Sequence, residues 1–244
     1  IAGDTLCKMT IPSPSMLHLI CCVRSEEYKP IERYQDMKEL YNDIAIAYQK
    51  AIRAFYDAGC RYLQLDDTSW GEFCDADKRK TYKERGFNLE EIAKSYVDMI
   101  NLALEAKPAD MTITMHICRG NFRSTWFSSG GYEPVAEILF GHCKVDGFFL
   151  EYDSERSGDF SPLRYIKDQK VVLGLITSKF PQLEDKEEIK ERIQEAEKYV
   201  AKEQLCLSPQ CGFSSTEEGN VMTEEEQWKK VVFVKEIAEE VWDD

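Results

Sequence analysis

The sequence predicts an α/β fold, a parallel sheet wrapped by helices, on two observations. Short apolar runs rich in β-branched and aromatic residues alternate with longer segments of helical spacing. Polar residues gather at or just after the ends of those runs: Asp66, Asp67, His116, Cys118, Glu151, Asp153, Ser178 and Cys211. Near-continuous apolar strands joined by helices imply a parallel sheet covered on its faces. A TIM (β/α)8 barrel builds its site from the ends of several strands meeting at one mouth, so the barrel is favoured over an open doubly wound sheet. No glycine-rich phosphate fingerprint follows the first run, which weighs against the dinucleotide-binding form of the open sheet.

Taken in order, the strand-like runs are Met9–Ile11, Tyr62–Leu65, Met111–Ile117, Gly147–Glu151, Val171–Ile176 and Gln204–Leu207. They supply about six strands where the barrel needs eight, so two strands' worth of chain is expected upstream of Ile1. The helical segments are Tyr41–Tyr56, Leu89–Ala106, Glu187–Val200 and Trp228–Trp242. In the first, Ile44, Tyr48, Ile52 and Phe55 fall near one face; in the second, Ile92, Tyr96, Met99, Ile100 and Ala103 do. Asn88 reads as an N-cap, and Thr223 with Glu226 as a capping box. No linker, repeat or low-complexity tract interrupts residues 1–244, which read as a single barrel domain, the C-terminal portion of a larger barrel.

Composition narrows the function. A formal net charge of −14 repels phosphate backbones and excludes nucleic acid as a partner. The acidic runs Glu184–Glu191 and Glu224–Glu226 read as solvated helix faces. No stretch approaches a membrane span, and the first residues do not read as a signal peptide. Nine cysteines, an odd number in a chain too large to need staples, point to a reducing, cytoplasmic setting with mostly free thiols.

A few of those thiols have ligand-like neighbours. Alternation along a strand puts His116 and Cys118 on one face, at the end of an apolar run. Alone, such a pair is better explained by a core histidine beside a buried cysteine. Glu151 ends the next run, where a carboxylate is costly to desolvate unless paired, by a salt bridge or by a metal. Cys211 follows the last run in a Pro/Gly turn. Together, one His, one Glu and two Cys from three strand ends make a full tetrahedral set for zinc. Two thiolates and a carboxylate make the site electron-rich, suited to activating a thiol rather than water.

Five motifs in order carry a resemblance that covers essentially the whole chain. They are Thr10-Ile-Pro-Ser-Pro-Ser15, Leu63-Gln-Leu-Asp-Asp67-Thr, His116-Ile-Cys-Arg-Gly-Asn121, Ser157-Gly-Asp-Phe160 and Ser208-Pro-Gln-Cys-Gly-Phe213. With them, the chain resembles the catalytic barrel of cobalamin-independent methionine synthase, and in particular its shorter, single-barrel relatives. The resemblance implies a zinc-dependent methyltransferase in which homocysteine, bound as thiolate, attacks a methyl group on a folate. It implies His116, Cys118, Glu151 and Cys211 as zinc ligands and Asp66 as the acid that holds the substrate's amino group. Asp67 and Ser178 stand beside Asp66 as candidate substrate-binding residues. The synthase has a histidine after its penultimate strand, thought to protonate the leaving amine. Here that stretch reads Gly174-Leu-Ile-Thr-Ser178-Lys179-Phe, without histidine. Lys179, Asp67 or an acid in the part expected upstream of Ile1 then becomes the candidate catalytic acid, or the methyl donor is not a folate. The competing enzyme reading is alkyl transfer to or from another thiol, as in the coenzyme-M transferases that this barrel group also resembles. A structural zinc site is disfavoured, because its ligands come in closely spaced knuckles. A metal-free decarboxylase would leave the His/Cys/Glu/Cys set without a role.

Overall fold

The computed structural model describes residues 3–242. Six strands form one parallel sheet: β1 (Lys8–Pro12), β2 (Tyr62–Asp67), β3 (Thr112–Ile117), β4 (Gly147–Glu151), β5 (Lys170–Ile176) and β6 (Leu205–Pro209). They lie side by side in chain order, β1-β2-β3-β4-β5-β6. A doubly wound sheet reverses its strand order at a switch point; a barrel never does. The unreversed order makes this sheet an arc of a TIM barrel. Among the described residues β1 and β6 are its two edges, and β1 is correspondingly exposed along almost its whole length.

Register sorts the strand residues into two faces. Leu63 pairs with Ile113, Leu65 with Met115, Ile117 with Leu150, and Leu150 with Leu173. These are fully buried and pack beneath the helices. The alternate set, with Asp66 beside His116 and Glu151 beside Gly174, lines the inside of the arc.

The helices are α1 (Pro14–His18), α2 (Met37–Asp57), α3 (Ser69–Cys74), α4 (Ala76–Glu84), α5 (Leu89–Leu104), α6 (Glu133–His142), α7 (Lys186–Ala196) and α8 (Glu224–Trp242). The expected N-cap holds: Asn88 accepts the Glu91 N–H. So does the capping box, in which Thr223 and Glu226 exchange hydrogen bonds. Four helices escaped the apolar periodicity for separate reasons, α1 because its five residues are too few to show a period. Every residue of α3 is buried, so it has no polar face to define a period. In α4 only Tyr82 is buried. The start of α6 is set by turn chemistry, Gly130-Gly131 and Pro134, rather than by a stripe. His142 sits at its C-terminal end. All nine cysteines are free thiols, and no helix among the described residues is long and apolar enough to cross a membrane.

Candidate metal centre

Three strand ends deliver the side chains that could hold a metal. His116 is the penultimate residue of β3, and Cys118 follows that strand on the same face. Glu151 ends β4 and Cys211 lies just beyond β6. One ligand atom from each lies within 4.8 Å of every other. The reach of Cys211 depends on Gly174 of β5. A Cβ there would stand 2.7 Å from Gln210 Cα and 2.8 Å from the Leu150 carbonyl oxygen. Only glycine lets the Pro209–Gln210–Cys211 turn fold inward across β5.

The separations fit a tetrahedral ion. Bonds of about 2.3 Å to sulfur and about 2.0 Å to nitrogen or oxygen give ligand–ligand edges of about 3.8 and 3.3 Å. Cys118 Sγ and Cys211 Sγ are 3.9 Å apart. His116 Nε2 is 3.4 Å from Glu151 Oε1, close to it but without hydrogen-bond geometry, so this buried nitrogen has no hydrogen-bond partner among the described residues. The other ring nitrogen, Nδ1, donates to Asp66 Oδ1 at 3.1 Å. A carboxylate on the far nitrogen is the standard way to fix the tautomer of a metal-binding histidine. The donor set, one imidazole, one carboxylate and two thiols, suits zinc.

The metal-free electrostatics show the same preparation. Burial works against a charged His116, yet Asp66 and Glu151 on either side raise its pKa well above the ordinary value. Burial would raise Glu151, but His116, the Arg119 N–H and the Arg156 guanidinium hold it below the usual carboxylate range. The hydrogen bond shared by the two thiols pulls Cys211 down; it pushes Cys118 well up, with burial adding to the rise. Cation binding to such a set displaces protons.

Around this set the structure disposes the other candidate residues unequally. Asp66 lines the cleft with its side chain 41 % exposed. Asp67 is fully buried and bonded to Ser15, Ser69 and the Ser69 and Trp70 N–H groups. Ser178 is also fully buried, its N–H and hydroxyl both donating to Gln210 Oε1. The Lys179 ammonium is enclosed by the Thr125 carbonyl at 2.9 Å, Asn121 Oδ1 at 3.2 Å and the Gly120 carbonyl at 3.4 Å. Burial lowers its pKa, with Glu151 and Cys211 opposing. All three ammonium donors are taken, so Lys179 stands as a strut under the loop that follows Cys118. Neither Ser178 nor Lys179 lines the cleft.

Two partners of Glu151 were not picked out from the sequence as ligand supports. Arg156 bridges Glu151 Oε2 at 3.2 Å and Asp153 Oδ1 at 2.8 Å. Tyr132 accepts the Glu151 N–H at 2.9 Å. The five-residue spacing from Glu151 to Arg156 was a legible signal; Tyr132, on a distant loop, left none.

The ligands open on a cleft of about 720 Å³ floored by the inner faces of β1, β2 and β3, with Lys8, Gln64 and Phe149 lining it. That is room for a small molecule. A larger groove of about 850 Å³ runs outside the sheet between α5 and α6, away from the four ligands; chemistry, not size, makes the smaller cleft the candidate site.

Comparison with known proteins agrees with this geometry. The profile of the family described as cobalamin-independent synthase, catalytic domain, matches residues 23–232. The chain is 54 % identical over 244 residues to the Uncharacterized protein YxjH of Bacillus subtilis (strain 168), covering 99 % of this chain and 63 % of that protein. It is 24 % identical over 181 residues to the methionine synthase of Pyrococcus furiosus, covering 74 % of this chain and 45 % of that one. A Listeria monocytogenes crystal structure assigned as a vitamin-B12 independent methionine synthase superposes with a TM-score of 0.77 at 50 % identity, over 98 % of this chain and 65 % of that one. A B12-independent methionine synthase from Shewanella sp. W3-18-1, in complex with selenomethionine, shares the fold at 19 % identity, with a TM-score of 0.69 over 97 % of this chain and 62 % of that one. The chain belongs to the cobalamin-independent methionine synthase family, through its catalytic domain. It spans less than two thirds of the length of these relatives.

Proposed function

We propose that this chain carries the zinc site of a thiol methyltransferase, with homocysteine as the thiol and methionine as the product. The observation that supports the reading is the His116, Cys118, Glu151 and Cys211 set, its ligand atoms within 4.8 Å of one another at the mouth of an open cleft. Zinc bound there supplies the Lewis acidity that lets a thiol shed its proton near neutral pH. The residues of the chain do the rest. Asp66 holds the His116 ring and keeps a partly exposed carboxylate facing the cleft, where it meets the amino group of an amino-acid substrate. Arg156 and Tyr132 keep Glu151 in place.

A second reading concerns the methyl donor. The end of β5 offers Ser178 and Gln210, a neutral hydroxyl–amide pair, and Lys179 with all its protons engaged. A folate amine leaves poorly without a proton. This favours a donor whose leaving group departs without one, such as a methyl-sulfonium or a methyl-corrinoid. The test is zinc-edge absorption on the full-length protein with L-homocysteine and other thiols, then methionine formation across a donor panel. A gain of one sulfur ligand with homocysteine supports the main reading. The same gain with another thiol and none with homocysteine favours the coenzyme-M-transferase-like alternative. Fast turnover with methyltetrahydrofolate, unchanged in Lys179→Ala, overturns the second reading.

A further inference from the structure

Arg119 is fully buried one residue beyond Cys118. Its guanidinium carbon lies 4.4 Å from the centroid of the Tyr132 ring. Among the described residues, Nε, Nη1 and Nη2 have no hydrogen-bond partner. A guanidinium does not give up its proton inside a protein, so this is a permanent positive charge enclosed by the fold. Its nearest ionisable neighbours do not balance it. The Cys74 thiol, pushed up to about 11 by burial, is neutral near pH 7, as an ordinary phenol such as Tyr132 already is. Stacking on Tyr132 offsets part of the cost of burial, but an unpaired buried charge remains unfavourable unless anions nearby share its field.

Those anions belong to the metal centre. The backbone N–H of Arg119 donates to Glu151 Oε1 at 3.1 Å. The Tyr132 hydroxyl, beneath the guanidinium, accepts the Glu151 N–H at 2.9 Å and donates to the Glu151 carbonyl at 3.3 Å. The other cations near the set are committed: Arg156 to Glu151 and Asp153, Lys179 to three oxygens. Two thiolates and a carboxylate around a divalent ion already sum to a net negative charge, and a substrate thiolate adds another. A half-buried site with that sum is favoured by a fixed positive charge that offsets it.

We propose that Arg119 is a positioning residue of the metal centre: a sealed charge behind Glu151 that allows the electron-rich ligand set to take up an anionic thiol. The inference rests on the zinc–thiol reading above. Its test loads the full chain with Co²⁺ in place of Zn²⁺ and follows the visible spectrum as L-homocysteine or imidazole is added. The first binds as an anion and the second as a neutral ligand. Arg119→Met is expected to bind homocysteine roughly tenfold more weakly, the effect of one unit charge at about 12 Å in an effective dielectric near 20, with imidazole affinity unchanged. Arg119→Lys, which keeps the charge, recovers most of the loss. Arg119→Gln is the second neutral variant should the methionine variant be insoluble. Equal weakening of both ligands, wild-type behaviour in the neutral variants, or no recovery in Arg119→Lys overturns the proposal. Wild-type protein that takes up no metal overturns the zinc reading instead, and is seen before any variant is compared.

Discussion

Asp66 and Asp67 are consecutive residues at the end of β2, and the strand turns them to opposite faces. Asp66 faces the cleft, shares one oxygen between His116 and Gln64, and keeps its side chain 41 % exposed. Asp67 points toward the helices, where two hydroxyls and two backbone N–H groups fill its oxygens. The same division runs through the molecule. Inside the arc, polar atoms are left with unused capacity: His116 Nε2 and the two thiols. Outside it, the Asp67 carboxylate is bonded to completion and ties β2 to α1 and α3. The difference separates groups that the fold keeps available from groups that the fold consumes, and each side predicts its own failures.

The largest effect belongs to the inside. Cys118→Ser or Cys211→Ser is expected to remove most of the metal from a protein that otherwise holds about one zinc per chain, with thermal stability nearly unchanged without metal. Metal analysis of protein purified under reducing conditions without chelator decides it; zinc-free wild type would sink the central claim.

On the outside, Asp67→Ala leaves several buried donors without an acceptor. It is expected to cost on the order of 3 kcal/mol of stability, while zinc per folded molecule stays as in wild type. Loss of zinc without loss of stability would reverse the roles assigned to the two aspartates.

Also outside, His18 is buried between Tyr96, 2.9 Å from Nδ1, and Tyr41, 3.3 Å from Nε2. Burial lowers its pKa to about 4. The unfolded chain has an ordinary histidine near 6.5, so it takes up the proton first as the pH falls. The contribution of His18 is therefore whole above about pH 6.5 and is lost as the pH drops toward 4, by roughly 3 kcal/mol in total. Urea denaturation at pH 7 and pH 4.5 should show this fall in wild type and a smaller one in His18→Gln; equal falls would show that other groups set the acid sensitivity.

The smallest effect sharpens the comparison at its boundary. Asp66→Asn keeps the shape but weakens the grip on the His116 ring. Zinc affinity is expected to fall roughly 10- to 100-fold, and homocysteine binding to weaken, with no change in unfolding temperature of the metal-free protein. Chelator competition measures the first and calorimetry the last. A drop in unfolding temperature would place Asp66 among the structural group.

Much of this was legible in the sequence because strand periodicity and strand-end polarity are local signals. The six runs are the six strands, and the four residues chosen as ligands from three strand ends meet in space. The helices α3 and α4 were not legible, since one is buried all round and the other carries a single buried side chain. The separate surroundings of Asp66 and Asp67 follow from strand alternation; both border the cleft, and alternation alone does not say which carboxylate is left available. Lys179 was named as a candidate acid because it stands in the stretch where the resembled family carries a histidine. Its enclosure depends on a loop some sixty residues away in sequence, 59 to Gly120, a contact no local pattern announces. Arg119 and Tyr132 were silent for the same reason.

The Cys118–Cys211 contact has a consequence for how the protein is made. The two sulfurs are 93 residues apart in the chain, and the second arrives only after β6 has been laid against β5. A chain leaving the ribosome exposes His116, Cys118 and Glu151 long before the fourth ligand exists. During that interval it offers an adventitious metal only an incomplete site, weaker than the finished one. On the zinc reading, the site can discriminate between metals only once the Gly174 gap has admitted the Gln210 turn and all four residues are in place.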